Sequence, residues 1–198
     1  DAMGAVIGFS ARKYNEETFG GKYINTPETP LFKKSNVLFG LSYSRQRIVK
    51  EKQAIIVEGQ VDALQWIHAG FNYTVAGQGT AFGEGHVKEL LHLGIHRVYL
   101  ALDGDPAGQD AAVKIGDLFQ LKGIEVKVVM LPSGSDPDTV LKDRGVAYIQ
   151  SLLSESRDYL RFVFDHWAKQ YRLDSPSQKS EMVQKIATLI RGWEQPVM

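Results

Sequence analysis

Six acidic side chains of this chain stand where apolar runs end. The run QAIIVEG stops at Glu58, and Asp62 follows about one helical turn later. RVYLALDGD ends in Asp103 and Asp105, and IEVKVVMLP leads through Pro132–Gly134 to Asp136 and Asp138 in SDPD. Two anions ~4 Å apart repel by ~1 kcal/mol in water, and by more in a less polar cleft. A cluster of such groups is costly unless protons or cations compensate it. All of these donors are hard oxygens and the chain has no Cys, so Mg²⁺ or Mn²⁺ suits them better than zinc. Two or more ions held by shared carboxylates are the usual apparatus for in-line displacement at a phosphate. Each acid also has a plainer reading. An acid at Asp62 suits the start of a helix, and Asx-Pro turns such as SDPD are common.

The elements that must position these acids alternate in period. QAIIVEG reads as a buried strand, and VDALQWIHAG as a helix closed by Gly70. NYTVAGQG, EGHVKELLHLG, RVYLALDGD, AGQDAAVKIGDLFQLKG and IEVKVVMLP continue the alternation. Short connections between such segments imply right-handed crossovers and a parallel sheet covered on both faces. Ligands of such sheets bind outside the carboxyl ends of the strands, where all six acids fall. Residues 1–52 are predicted to be a basic strand and turn segment, 53–150 the sheet domain, and 151–198 a helical part. SPSQ, at Ser175–Gln178, predicts a capping-box helix start.

Composition narrows the function classes. The formal net charge is zero, yet residues 1–52 carry nine Lys and Arg against five Asp and Glu. Residues 53–150 carry seven against twelve, so two kinds of electrostatic partner are expected. No apolar run approaches the ~18 residues of a membrane span, and the N-terminus lacks the basic-then-apolar order of a signal peptide. A cytoplasmic protein without disulfides is expected. The chain begins without Met and stops soon after a helix, as a piece of a longer protein would.

Competing motifs are weaker. GQGTAFG, at Gly77–Gly83, follows a strand but is spaced GxGxxxG, not GxGxxG, and no GxxxxGK[ST] occurs. His92 and His96 are four apart, but Gly94 between them is expected to end the helix. Leu160, Phe164, Trp167 and Tyr171 recur at helical spacing and read as a packing face, not a base-stacking platform.

VEGQVDAL, LALDGDPAG and SDPD together resemble the Toprim domain shared by bacterial replicative primases, topoisomerases and some nucleases. VIGFSAR and KYINTPETPLFKKSNVLFGL resemble the segment that precedes Toprim in the bacterial DnaG-type primases, and GTAF resembles that family's GT turn. The likeness runs from residue 4 to about 190. It implies an α/β fold: a Toprim-type parallel sheet flanked by helices, an N-terminal β-rich basic segment and a C-terminal helical extension. It implies Glu58, Asp103 and Asp105 as catalytic metal ligands, completed by Asp62, Asp136 and Asp138. Arg12, Lys22, Tyr23, Asn25 and Lys34 fall on nucleotide-facing positions. Lys33 stands where the family commonly has His, so which of the paired lysines acts stays open.

The implied activity is nucleotidyl transfer making RNA primers, with Mg²⁺ or Mn²⁺ as cofactor and no zinc in this segment. The implied partners are a single-stranded DNA template, ribonucleoside triphosphates, the RNA primer, and a replicative helicase reached through a C-terminal domain this chain does not contain. This segment alone is expected not to prime de novo. Another Toprim enzyme, a topoisomerase or nuclease, and a metal-stabilised nucleic-acid-binding module are the alternatives.

Overall fold

The computed structural model describes residues 1–15, 23–79, 81–172 and 174–193; Lys22 lies outside them. The chain opens with an antiparallel hairpin of β1 (Ser10–Arg12) and β2 (Tyr23–Asn25). α1 (Leu41–Glu51) follows, and its inward positions are Leu41, Ser44 and Ile48. The sequence pattern does not announce this helix, because one of those three positions is polar. Ser44 is fully buried all the same, since its hydroxyl donates to the carbonyl of Thr74 at 2.7 Å.

From here the predicted alternation is observed: β3 (Gln53–Val57), α2 (Gln60–His68), β4 (Thr74–Ala76), α3 (Glu84–His92), β5 (Arg97–Leu100), α4 (Pro106–Gln120) and β6 (Glu125–Val128). α5 (Pro137–Ser154), a short β7 (Arg157–Asp158), α6 (Tyr159–Ala168) and α7 (Pro176–Arg191) complete the order. The main sheet runs β4-β3-β5-β6-β7. Its first four strands are parallel, and β7 adds an antiparallel edge through Lys127–Asp158 and Val128–Arg157. Two charged residues carry no strand signal, so this edge is invisible to pattern reading.

Successive residues of the central strands feed opposite faces. Ile56, Val98, Leu100 and Val128 pack on one side, with α3, α4, α6 and α7 contributing Leu90, Phe119, Phe162 and Met182. Ile55, Val57, Ala101 and Val129 pack on the other, with Trp66 of α2 and Ile149 of α5. Burying such an isoleucine stabilises the fold by about 1.5–3 kcal/mol, which is why β3 reads as an unbroken apolar run. The β4 edge is partly covered and β7 is only two residues long. At β4, Phe39 exchanges hydrogen bonds with Ala76 at 2.8 and 3.1 Å.

α7 begins where predicted, with Ser175 as cap and Pro176 in the first turn. The capping box itself does not form, because Gln178 accepts from the main-chain N–H of Arg172 at 2.6 Å and Ser175 makes no cap bond. α3 ends at His92, ahead of Gly94, so His92 and His96 do not share a helix.

Candidate active site

The parallel strands deliver their acids to one edge, and helix-start chemistry orders them there. Asp62 lies in the first turn of α2 and is buried; its Oδ2 accepts from the N–H of Gly59 at 2.9 Å and its Oδ1 from the N–H of Asp138 at 3.1 Å. Asp105 caps α4, accepting from Gly108 at 2.8 Å, and Asp136 caps α5, accepting from Thr139 at 2.7 Å. Three of the six acids thus satisfy helix N-termini, where anions are favoured. The start of α5 is braced further by Trp66, whose indole N–H donates to Pro137 O at 3.0 Å.

Glu58 is exposed at the end of β3, and its Oε1 accepts from the N–H of Asp103 at 3.2 Å. A cavity of about 450 Å³ opens at this edge. Glu58, Asp62, Asp103, Asp136 and Asp138 line it, facing Arg12, Tyr23 and Asn25 of the β1–β2 hairpin. Asp105 is not among the lining residues; its Oδ1 serves the α4 cap, and its charge still acts on Asp103. Lys33 and Lys34 do not line it either. The peptide of Lys34 is held by Glu28, which accepts its N–H at 2.9 Å, and by His86, which bonds its carbonyl at 2.8 Å.

The local field is strongly unfavourable to further negative charge. Burial, reinforced by Glu58, Asp62, Asp136 and Asp105, pushes the Asp103 carboxyl up to about 7. Burial, partly offset by the two main-chain hydrogen bonds, pushes Asp62 up to about 6. Asp138 is paired with Lys142 through Oδ2. Oδ1 of Asp103 and Oδ1 of Asp138 are buried without a hydrogen-bond partner. Orphaned, mutually repelling carboxylate oxygens are the donor set a hard divalent cation takes. Among the described residues, no three acidic or histidine side chains already converge on one point as a coordination shell.

Three lining residues escape the sequence reading: Gln60, Val61 and Gly59 beside the acids. Gln78 escapes it too. It is a buried polar side chain set between Gly77 and Gly79 at the end of β4, and that position in a glycine turn is the signal that could have found it.

Comparison with known proteins bears on this arrangement. Residues 55–141 match the Toprim-like family, and residues 1–45 match the DNA primase catalytic core, N-terminal domain. The DNA primase of Chlamydia muridarum is 50% identical over 198 residues, covering 100% of this chain and 33% of that protein. The chain spans about a third of the length of the curated relatives it matches. The Aquifex aeolicus primase, solved as zinc-binding and RNA polymerase domains, superposes with a TM-score of 0.84 at 31% identity, covering 98% of this chain and 46% of that one. A DnaG primase catalytic domain bound to single-stranded DNA gives a TM-score of 0.84 at 30% identity, over 98% of this chain and 62% of that one.

Proposed function

Since this chain belongs to the bacterial DnaG-type DNA primase family, we propose that its acid-lined cavity is the catalytic centre of template-directed RNA primer synthesis. The observation that carries the reading is one cavity bounded by five acids on one side and by Arg12, Tyr23 and Asn25 on the other. A nucleoside triphosphate needs both a cation-binding wall and a cationic wall, because its charge is met from two sides. In the proposed reaction a primer 3′-hydroxyl attacks the α-phosphate of a ribonucleoside triphosphate paired to single-stranded DNA, and pyrophosphate leaves.

Glu58 and Asp103 would hold Mg²⁺ or Mn²⁺, with Asp105, Asp136 and Asp138 completing the set for a second ion. Bound there, the ions supply charge neutralisation on the phosphates and a lowered pKa for the attacking hydroxyl. Asp62 keeps the acid-bearing loops together by bonding Gly59 and Asp138. Arg12, with Lys22 and the Lys33/Lys34 pair, holds triphosphate and template backbone. On this reading residues 1–52 are the nucleotide-facing part, 53–150 the metal-holding part and 151–198 the supporting part. The work is done in the cytoplasm, beside the replicative helicase.

The test is ribonucleotide incorporation on single-stranded DNA by the full-length protein with Mn²⁺. Glu58→Gln and Asp103→Asn should each abolish it while circular dichroism stays unchanged. Undiminished incorporation by either variant would overturn the assignment, and DNA relaxation or cleavage without incorporation would favour another Toprim enzyme.

A further inference from the structure

The turn that follows β4 does more than clear space. Gln78 is 8% exposed, and both of its carbonyl groups are engaged. Its side-chain Oε1 accepts from Nε2 of Gln60 at 2.8 Å, which ties it to the first residue of α2. Its main-chain oxygen accepts from Nδ2 of Asn25 at 3.3 Å, which ties it to β2. Asn25 in turn accepts from the hydroxyl of Ser10 on β1 through Oδ1, so its amide is anchored to both strands of the hairpin. The approach is close. A Cβ at Gly79, which has φ 73°, would lie 2.2 Å from Nδ2 of Asn25. Glycine is needed there both for the backbone conformation and for the space.

These bonds link the two walls of the cavity. The hairpin bears Arg12 and Tyr23, and α2 starts beside Glu58 and Asp62. We infer that Gln78 is a positioning residue that fixes the separation between the cationic hairpin and the acidic edge, with Asn25 and Gln60 as its two arms. It does not touch the reacting atoms. It acts through Arg12 on one side and the α2 turn on the other, so it governs how a triphosphate is gripped rather than how the bond is made. The kinetic part of this inference rests on the reading of the cavity as a nucleotidyl-transfer site, whereas the structural part does not.

Three variants of the full-length protein test it. Gln78→Met keeps the length of the side chain and removes the acceptor, Gln60→Ala breaks the same bond from its half-buried partner, and Asn25→Ala frees the hairpin. Hydrogen–deuterium exchange should accelerate in the Ser10–Arg12 and Tyr23–Asn25 strands, most for Asn25→Ala and less for Gln78→Met and Gln60→Ala, which keep the main-chain bond to Asn25 and act by loosening the Gly77–Gly79 turn, with β3 and β5 remaining protected. For Gln78→Met and Gln60→Ala the KM for ribonucleotides should rise roughly five- to tenfold, the size of one lost neutral hydrogen bond, while kcat changes less than twofold. Stabilisation by Mn²⁺ should be unaffected.

Gln60→Ala must reproduce Gln78→Met, which guards against a variant that merely misfolds. Gly79→Ala should cost less in the Asn25→Ala background than in the unmodified protein, because the clash is gone while the backbone strain is common to both. Unchanged exchange in the hairpin overturns the inference, and so does a fall in kcat at constant KM. If the unmodified protein incorporates no ribonucleotide, the functional reading fails, and the exchange arm still decides whether Gln78 ties the walls together.

Discussion

The main-chain N–H of Asp138 donates to Oδ1 of Asp62 across 3.1 Å, joining the start of α5 to the first turn of α2. An acid from one βα unit therefore orders the loop that carries another. With the Trp66 indole on Pro137 O, it makes the acidic edge a braced structure rather than a chance gathering of charges.

The raised carboxyls set the pH dependence of stability. Asp62 at about 6 and Asp103 at about 7 both lie above their ordinary value of 3.8. The folded state therefore binds these protons more tightly than the unfolded chain does. Their contribution is most favourable below about pH 4, and it declines as pH rises towards 7. In EDTA, the urea midpoint should be higher at pH 5 than at pH 7.5. A midpoint that rises across that window would show that the acids do not repel one another as described.

Divalent ions should reverse that loss. At a hundredfold excess over Kd, Mn²⁺ should stabilise the protein by about 2.7 kcal/mol. Asp103→Asn should raise metal-free stability at neutral pH, since it removes a disfavoured charge, and should abolish the Mn²⁺ effect. Thermal melts of both proteins with and without the ion check this.

Trp66→Phe should cost about 1–3 kcal/mol, from the unsatisfied Pro137 carbonyl and the lost volume at a fully buried site. Because the same carbonyl begins α5, Mn²⁺ affinity should fall as well. Calorimetric titration alongside urea unfolding reads both quantities.

Gly108→Ala separates helix propensity from packing. Within α4 the change should gain up to about 1 kcal/mol by propensity. The new Cβ, however, would sit 2.2 Å from the carbonyl oxygen of Asp103. Backbone cannot yield as a side chain tip can, so the variant should be less stable and should lose Mn²⁺ binding. A stabilised variant would mean that Asp103 is less tightly set against α4 than described.

Arg12→Ala in the full-length protein should flatten the log–log salt dependence of nucleic-acid binding by roughly one unit, as expected for one lost phosphate contact. The present chain alone should bind Mn²⁺ yet make no labelled RNA from single-stranded DNA and ribonucleotides, since bond formation also requires template and triphosphate held in line. Primers from this chain alone would show that it carries the whole groove.

Much of this architecture was legible because a parallel strand buried on both faces is apolar throughout, as β3 is from Ala54 to Val57, while β5 and β6 alternate buried Val98, Leu100, Val126 and Val128 with more exposed residues. The acids were legible because they interrupt those runs at their carboxyl ends. α1 was not, since its inward Ser44 is satisfied by the Thr74 carbonyl, on a strand thirty residues on. Likewise no local pattern reveals that Gln178 serves Arg172 rather than its own helix start, or that the Asp138 peptide is held by Asp62. Polar partners chosen across the fold leave no periodic trace.

The short and partly covered sheet edges bear on how the protein behaves in a crowded solution. A strand of another molecule docking beside β4 would find the Ala76 peptide already bonded to Phe39 and the Thr74 carbonyl taken by Ser44. At the opposite edge it would meet β7, only two residues long, with Asp158 bonded to Lys127. Short, charged or covered edges are poor templates for further pairing. Self-association by strand addition is thereby discouraged, and the molecule can be concentrated without growing into aggregates through its own sheet.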